Sequence, residues 1–210
     1  MNSVIAVVDY GAGNLRSVVK ALQRLEAAVD VTSDPRALAH AGALLLPGVG
    51  AAGEAMERLQ SLGLRQSLAA AVADGKPFFG VCLGLQLLFE RSEESAGPCL
   101  GILPGVVCRL RSRLKVPHMG WNQVHQRATH PLFAGIPDGA YCYFVHAYVA
   151  YPADRATVIG ETDYDVVFPS VLAHHNVVAT QFHPEKSGAT GLRLYANWLA
   201  SIGLATRPPA

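Results

Sequence analysis

The segment Gly80-Val81-Cys82-Leu83-Gly84-Leu85-Gln86 narrows the possible folds more than any other stretch of the chain. It follows the apolar Pro77-Phe78-Phe79 and opens the run Leu87-Leu88-Phe89, so one cysteine falls between an expected strand and an expected helix. Gly-x-Cys-x-Gly at such a junction reads as a nucleophile elbow. Glycines on either side let the backbone turn sharply and push the sulfur out over the end of a sheet. A helix beginning at Leu83 would aim its free amides and the positive end of its dipole at the sulfur, favouring thiolate over a thiol of ordinary pKa about 8.5.

The rest of the first half fits a sheet that could carry this elbow. Residues 4–8, 29–32, 43–46 and 78–81 read as short buried strands, and residues 15–27 and 61–73 as helices between them. Alternation of this kind predicts a parallel sheet with helices on both faces and functional sites at the carboxyl ends of strands. The second half reads as shorter strands over 105–109, 121–124, 141–148, 157–162, 166–170 and 177–181, closed by an amphipathic helix over 191–201. There is no internal repeat, low-complexity tract or linker, which favours one domain across residues 1–210.

A nucleophile needs a base and an acid to orient it. Gln181-Phe182-His183-Pro184-Glu185 offers both. The apolar run Val177-Val178-Ala179-Thr180 delivers His183 to a strand end, and the step to Pro184 holds the backbone extended or turned before Glu185. Glu185 could then fix one ring nitrogen while the other takes the proton from Cys82. An ordinary surface histidine beside a turn proline is the bland alternative, and pairing with the elbow favours catalysis. Donors for a developing oxyanion come from the amide of Leu83 and from the turn Gly48, Val49, Gly50 after the strand-like Leu44-Leu45-Leu46.

Other chemistries find less support. Gly11-Ala12-Gly13 begins like a dinucleotide-binding fingerprint but has Arg16 in place of the third glycine. The eight histidines include no metal-ligand spacing, His174-His175 reads as a turn pair, and neither metal nor cofactor is assigned. Cys82, Cys99, Cys108 and Cys142 form no CxxC pair, so neither a zinc ribbon nor a disulfide framework is expected. A net charge of +1 argues for neither a nucleic-acid nor an anionic-membrane partner. No apolar stretch reaches the roughly 18 residues of a membrane span, and a cytoplasmic protein is expected.

In the order Pro47-Gly48-Val49-Gly50, Gly80 to Gln86 and Gln181 to Lys186, the chain resembles the class I (triad) glutamine amidotransferases. Val116-Pro117-His118-Met119-Gly120-Trp121-Asn122-Gln123-Val124 and Tyr143-Phe144-Val145-His146-Ala147-Tyr148 resemble one branch of that family, the glutaminase subunits of imidazole glycerol phosphate synthases. So do Asp9-Tyr10-Gly11-Ala12-Gly13-Asn14-Leu15 and the acidic Glu90-Arg91-Ser92-Glu93-Glu94. Only the tail Thr206-Arg207-Pro208-Pro209-Ala210 falls outside the resemblance.

The resemblance implies a flavodoxin-like α/β fold with a parallel or mixed sheet, forming a single type 1 amidotransferase domain. It implies that Cys82, His183 and Glu185 hydrolyse L-glutamine through a thioester, with Gln86 and Glu94 holding the amide and amino ends of the substrate. It further implies that ammonia passes to a cyclase subunit, a (β/α)8 barrel, in a heterodimer. Asn14, Trp121, Tyr143 and Lys186 lie in motifs the family places at or near that interface. Trp121 could equally be a core tryptophan on sequence alone. The family also suggests slow hydrolysis until the partner holds its nucleotide, and the Pro47 to Gly50 turn is then the expected switch. Three other readings stay open: a glutaminase feeding another synthase, a free-standing cysteine hydrolase and a non-catalytic binding subunit.

Overall fold

A computed structural model of the chain describes residues 4–204; the 206–210 tail lies outside the described residues. The first half alternates β1 (Ile5–Val8), α1 (Leu15–Arg24), β2 (Val29–Thr32), α2 (Pro35–His40), β3 (Ala43–Gly48), α3 (Ala52–Ser61), α4 (Leu64–Ala73) and β4 (Phe78–Cys82). There follow α5 (Leu83–Gln86), β5 (Arg91–Ser92), β6 (Gly105–Arg109), β7 (His118–Gln126), β8 (Ala140–His146), β9 (Tyr148–Pro152), β10 (Val158–Asp163), β11 (Val167–His174), β12 (Val177–Thr180) and α6 (Gly188–Ser201).

Nine strands form one sheet in the order β2-β1-β3-β4-β12-β11-β10-β7-β8, and β5-β6-β9 form a second, smaller sheet. Pairing is parallel from β2 across to β12 and antiparallel beyond it. The period-two alternation of the parallel strands builds two cores. Ala6, Val8, Leu44, Leu46 and Phe78 face α2, α3, α4 and α5, whereas Ile5, Val7, Leu45, Phe79 and Val81 face α1 and α6. On that second face the Phe79 ring centroid lies 5.3 Å from Tyr195 and 5.1 Å from Trp198, tilted and edge-on. Each such pair contributes about 0.5–1.5 kcal/mol beyond its buried area.

Several element boundaries differ from the sequence expectation. The helix expected over 61–73 breaks at Gly63, whose φ of +69° starts α4 afresh after α3. The helix α2 goes beyond the expected alternation; Asp34 caps it, accepting from Arg36 N at 2.8 Å, and Pro35 occupies its first position. The strand expected over 141–148 divides at Ala147, where the chain leaves the large sheet as β8 and enters the small one as β9. Most consequentially, α5 is a single turn of four residues. Its macrodipole is correspondingly slight, because few peptide units are aligned. No helix of the described residues is long and apolar enough to cross a membrane.

Candidate active site

Strand register assembles the site. Gly48, the last residue of β3, pairs with Cys82, the last residue of β4, and Thr180 at the end of β12 pairs with Val81. The turn after Gly48, the cysteine and the segment leading to His183 therefore leave the sheet side by side at its carboxyl edge. Cys82 itself takes the strained conformation, with φ 53° and ψ −106°. Gly80 and Gly84 are required for space rather than for a positive φ. A Cβ on Gly84 would lie 1.9 Å from Leu46 O, and one on Gly80 would lie 2.9 Å from Gly84 O. The elbow is pressed against its own strand and against β3.

His183 Nδ1 lies 2.8 Å from Glu185 Oε1, and both side chains are 1% exposed. Glu185 is held further, since Asn14 Nδ2 donates to the same Oε1 at 2.7 Å and the Tyr195 hydroxyl approaches Oε2 at 3.5 Å. His183 Nε2 is buried without a partner of good hydrogen-bond geometry. Burial alone would lower the ring's pKa, but charge and hydrogen bonding from Cys82, and then from Glu185, override it and push the value up to about 10. Cys82 thus acts on the ring although Nε2 has no hydrogen-bond partner; catalytic contacts often tighten only around substrate.

Cys82, Leu83, Val49, Gly50, Gln86, Glu94, Pro117, Val145, His146, Ala147 and Tyr148 line a cavity of about 320 Å³. Roomier depressions of about 670 and 470 Å³ lie elsewhere and contain none of these residues. Gly50 has φ +96° with open space around it, so its requirement is conformational. Beneath the turn, the Tyr10 hydroxyl is buried without a partner and would lie 2.8 Å from a Cβ on Gly48. Burial, then the Cys82 charge, pushes its pKa up.

The sequence model of the family described as glutamine amidotransferase class-I matches residues 6–201. The chain belongs to the class I glutamine amidotransferase family. A protein of Nitrosococcus oceani named imidazole glycerol phosphate synthase subunit HisH is 50% identical, covering 96% of this chain and 99% of its own. Proteins of the same name from Nitrosomonas europaea and Aromatoleum aromaticum are 50% and 49% identical, covering 95% and 94% of this chain and 98% of theirs in both cases. Among solved structures, a glutamine amidotransferase superposes with a TM-score of 0.76 at 21% identity, covering 95% of this chain and 99% of that one. A second, from Thermotoga maritima, has a TM-score of 0.68 at 18% identity and covers 96% and 84%. At such identities these two likenesses concern the fold, which is the mixed-sheet α/β architecture expected.

In this amidotransferase the two residues expected to hold substrate are already partly committed. Gln86 Nε2 donates to Tyr148 O at 2.9 Å and to Gln181 Oε1 at 3.1 Å, so Oε1 is what it offers the cavity. Glu94 Oε2 accepts from Ala52 N at 2.7 Å, capping α3 and leaving Oε1 for a cationic group. Gln181 and His146 were not singled out by sequence reasoning. Gln181 is fully buried and donates from Nε2 to Cys82 Sγ at 3.8 Å. The only signal for it was a polar residue closing an apolar strand.

His146 lines the cavity, yet both of its ring nitrogens are engaged. Nδ1 lies 3.0 Å from Tyr148 O, which can only accept; Nε2 therefore accepts from His118 Nδ1 at 3.0 Å. His118 Nε2 in turn accepts from Asn122 Nδ2 at 3.3 Å. Burial lowers the pKa of His118 to about 4, and burial followed by the His118 charge lowers that of His146 to about 3. His146, which lines the cavity, thus has no ring nitrogen to spare, whereas His183 has Nε2 without a hydrogen-bond partner.

The residues expected near the interface divide into two groups. Trp121 is 56% exposed and meets Tyr143 edge-on at 6.1 Å, so the core-tryptophan alternative does not hold. Lys186 Nζ lies 5.8 Å over the Tyr143 ring. Asn14, by contrast, is half-buried and spends its amide on Glu185.

Proposed function

We propose that Cys82, His183 and Glu185 hydrolyse L-glutamine to glutamate and ammonia, the chain being a cytoplasmic single-domain glutaminase subunit of an imidazole glycerol phosphate synthase in histidine biosynthesis. The Cys82 thiolate attacks the side-chain amide carbon, and the oxyanion rests on amides of Val49, Gly50 and Leu83. His183 protonates the departing ammonia, leaving a glutamyl thioester. A water deprotonated by the same ring then attacks, and C–S cleavage releases glutamate. The observation that carries this reading is His183, held by Glu185 at one nitrogen, without a partner at the other, and raised in pKa by Cys82.

Ammonia released in water at pH 7 becomes ammonium, which has no lone pair for attack, so its transfer must exclude bulk solvent. The proposed partner is a (β/α)8 cyclase subunit that uses the ammonia to make imidazole glycerol phosphate and an aminoimidazole carboxamide ribotide. The β7–β8 face suits such a docking role. Met119, Trp121 and Tyr141 are 63%, 56% and 56% exposed there, next to the Tyr143 and Lys186 pair. Clustered aromatic residues of this kind supply interface anchors.

Glutamate release by the purified chain, alone and with the cyclase subunit and its nucleotide ligand, tests the proposal, with Cys82→Ala as blank. Strong stimulation that disappears in the blank is expected. Full activity of the isolated chain, unchanged by the partner, would instead indicate a free-standing hydrolase.

A further inference from the structure

The Gln181 side chain has one orientation that its surroundings permit, and that orientation aims a donor at the nucleophile. The argument begins at Tyr148, whose carbonyl can only accept. Gln86 must therefore turn its NH₂ toward Tyr148 O, 2.9 Å away. The second hydrogen of the same Nε2 faces Gln181 at 3.1 Å, which requires Oε1 of Gln181 on that side. The Gln181 NH₂ is left pointing at Cys82 Sγ, 3.8 Å away. Gln181 is 0% exposed, so water does not compete for its amide. On its other side the sulfur meets Val145 O at 3.8 Å, a carbonyl that welcomes a thiol proton and repels a thiolate.

We propose that Gln181 is a further catalytic residue of the glutaminase, its side-chain amide donating to Cys82 Sγ and holding the sulfur as the attacking and departing thiolate. In the first half-reaction the thiol proton passes to His183, the sulfur's electron pair forms the C–S bond, and the C–N bond breaks as that proton leaves with ammonia. In the second half-reaction water loses a proton to His183, its oxygen bonds to the carbonyl carbon, and the C–S pair returns to sulfur. The Gln181 N–H meets the negative charge at the start of the first step and the end of the second. A neutral thioester sulfur is a weak acceptor, so the contact favours the charged states over the intermediate.

The inference rests on the thioester reading, which glutamate release by the unaltered chain with its partner tests separately. Its own test reads the sulfur alone. Iodoacetamide labelling of Cys82 is followed against pH by peptide mass analysis in the full chain, with half-buried Cys108 as internal control. Gln181→Met keeps length and volume but removes the donor. Because a hydrogen bond to a charged group is at stake, the labelling rate at pH 7 is expected to fall about tenfold, with the midpoint moving up by about one unit and Cys108 unchanged. Gln181→Glu places an acceptor against the sulfur and is expected to move the midpoint further. A Gln181→Met midpoint equal to or below that of the unaltered chain would overturn the proposal.

Should the variants fail to fold, the unaltered protein still decides the matter. The Gln181 side-chain amide resonances, assigned through-bond in selectively labelled protein, are expected to shift with the Cys82 labelling midpoint and to lose that dependence when Cys82 is alkylated. Resonances indifferent to the state of Cys82 would overturn it.

Discussion

Cys82 holds a backbone conformation that costs a residue of its type on the order of 1–3 kcal/mol, and the surrounding contacts over-determine it. Glycine at 84 allows Leu46 O to approach where a side chain would stand, so β3 itself clamps the elbow. Gly50 differs, having a φ of +96° and empty space where a Cβ would go. Gly50→Val therefore tests conformation without a clash. If a peptide of the 47–50 turn reorients to supply an oxyanion donor, that variant is expected to lose partner-stimulated glutamate release by about 100-fold. Its thermal unfolding midpoint is expected to fall by only a few degrees, the strain of a branched residue at that φ being about 1–3 kcal/mol, and equal turnover in a folded variant would refute the switch.

At the scale of elements, the division of residues 141–148 into β8 and β9 matters most. The bend at Ala147 carries the chain from one sheet into the other and leaves Tyr148 O where Gln86 and His146 both reach it. On the outward face of β7 and β8, Trp121 and its neighbours lack a covering layer among the described residues. Trp121→Ala is expected to change folding stability by less than about 0.5 kcal/mol, as exposed positions do. Affinity for the proposed cyclase subunit should fall by about 2 kcal/mol or more, roughly 30-fold, if it is an anchor. Titration of the labelled partner against the variant reads that difference directly.

For the whole molecule, the buried His118–His146 pair links stability to pH. Both folded values, about 4 and about 3, lie below the ordinary imidazole value, so the native state favours the neutral rings. The unfolded chain binds protons first as pH falls. Their contribution is present in full above about pH 6.5 and is lost as pH drops through the folded values. Urea unfolding at pH 4.5 should therefore show roughly 3 kcal/mol less stability than at pH 7, as an order of magnitude for two buried rings. His183 acts in the opposite sense: its raised value makes its contribution full below about pH 6.5 and lost as pH rises through about 10, so it adds no slope on the acid side. A flat acid limb would show that the two rings take up protons within the native state.

Residues close in sequence carried most of what could be read from the chain alone. Apolar runs of strand length, the glycine-framed Cys82 and the two-residue step from His183 to Glu185 are local patterns, and they specified the alternating α/β order, the elbow and the candidate triad. The short length of α5, the break at Gly63 and the sheet change at Ala147 depended on what packs against those points, which propensity does not encode. Asn14 meets Glu185 across 171 positions, and Gln181 meets Cys82 across 99. Such contacts exist only after β3, β4 and β12 have been set in register at one sheet edge. Sequence by itself determined which groups could do chemistry; the tertiary structure decided which of them touch, because hydrogen bonds in a buried site are governed by strand register and side-chain orientation rather than by separation along the chain.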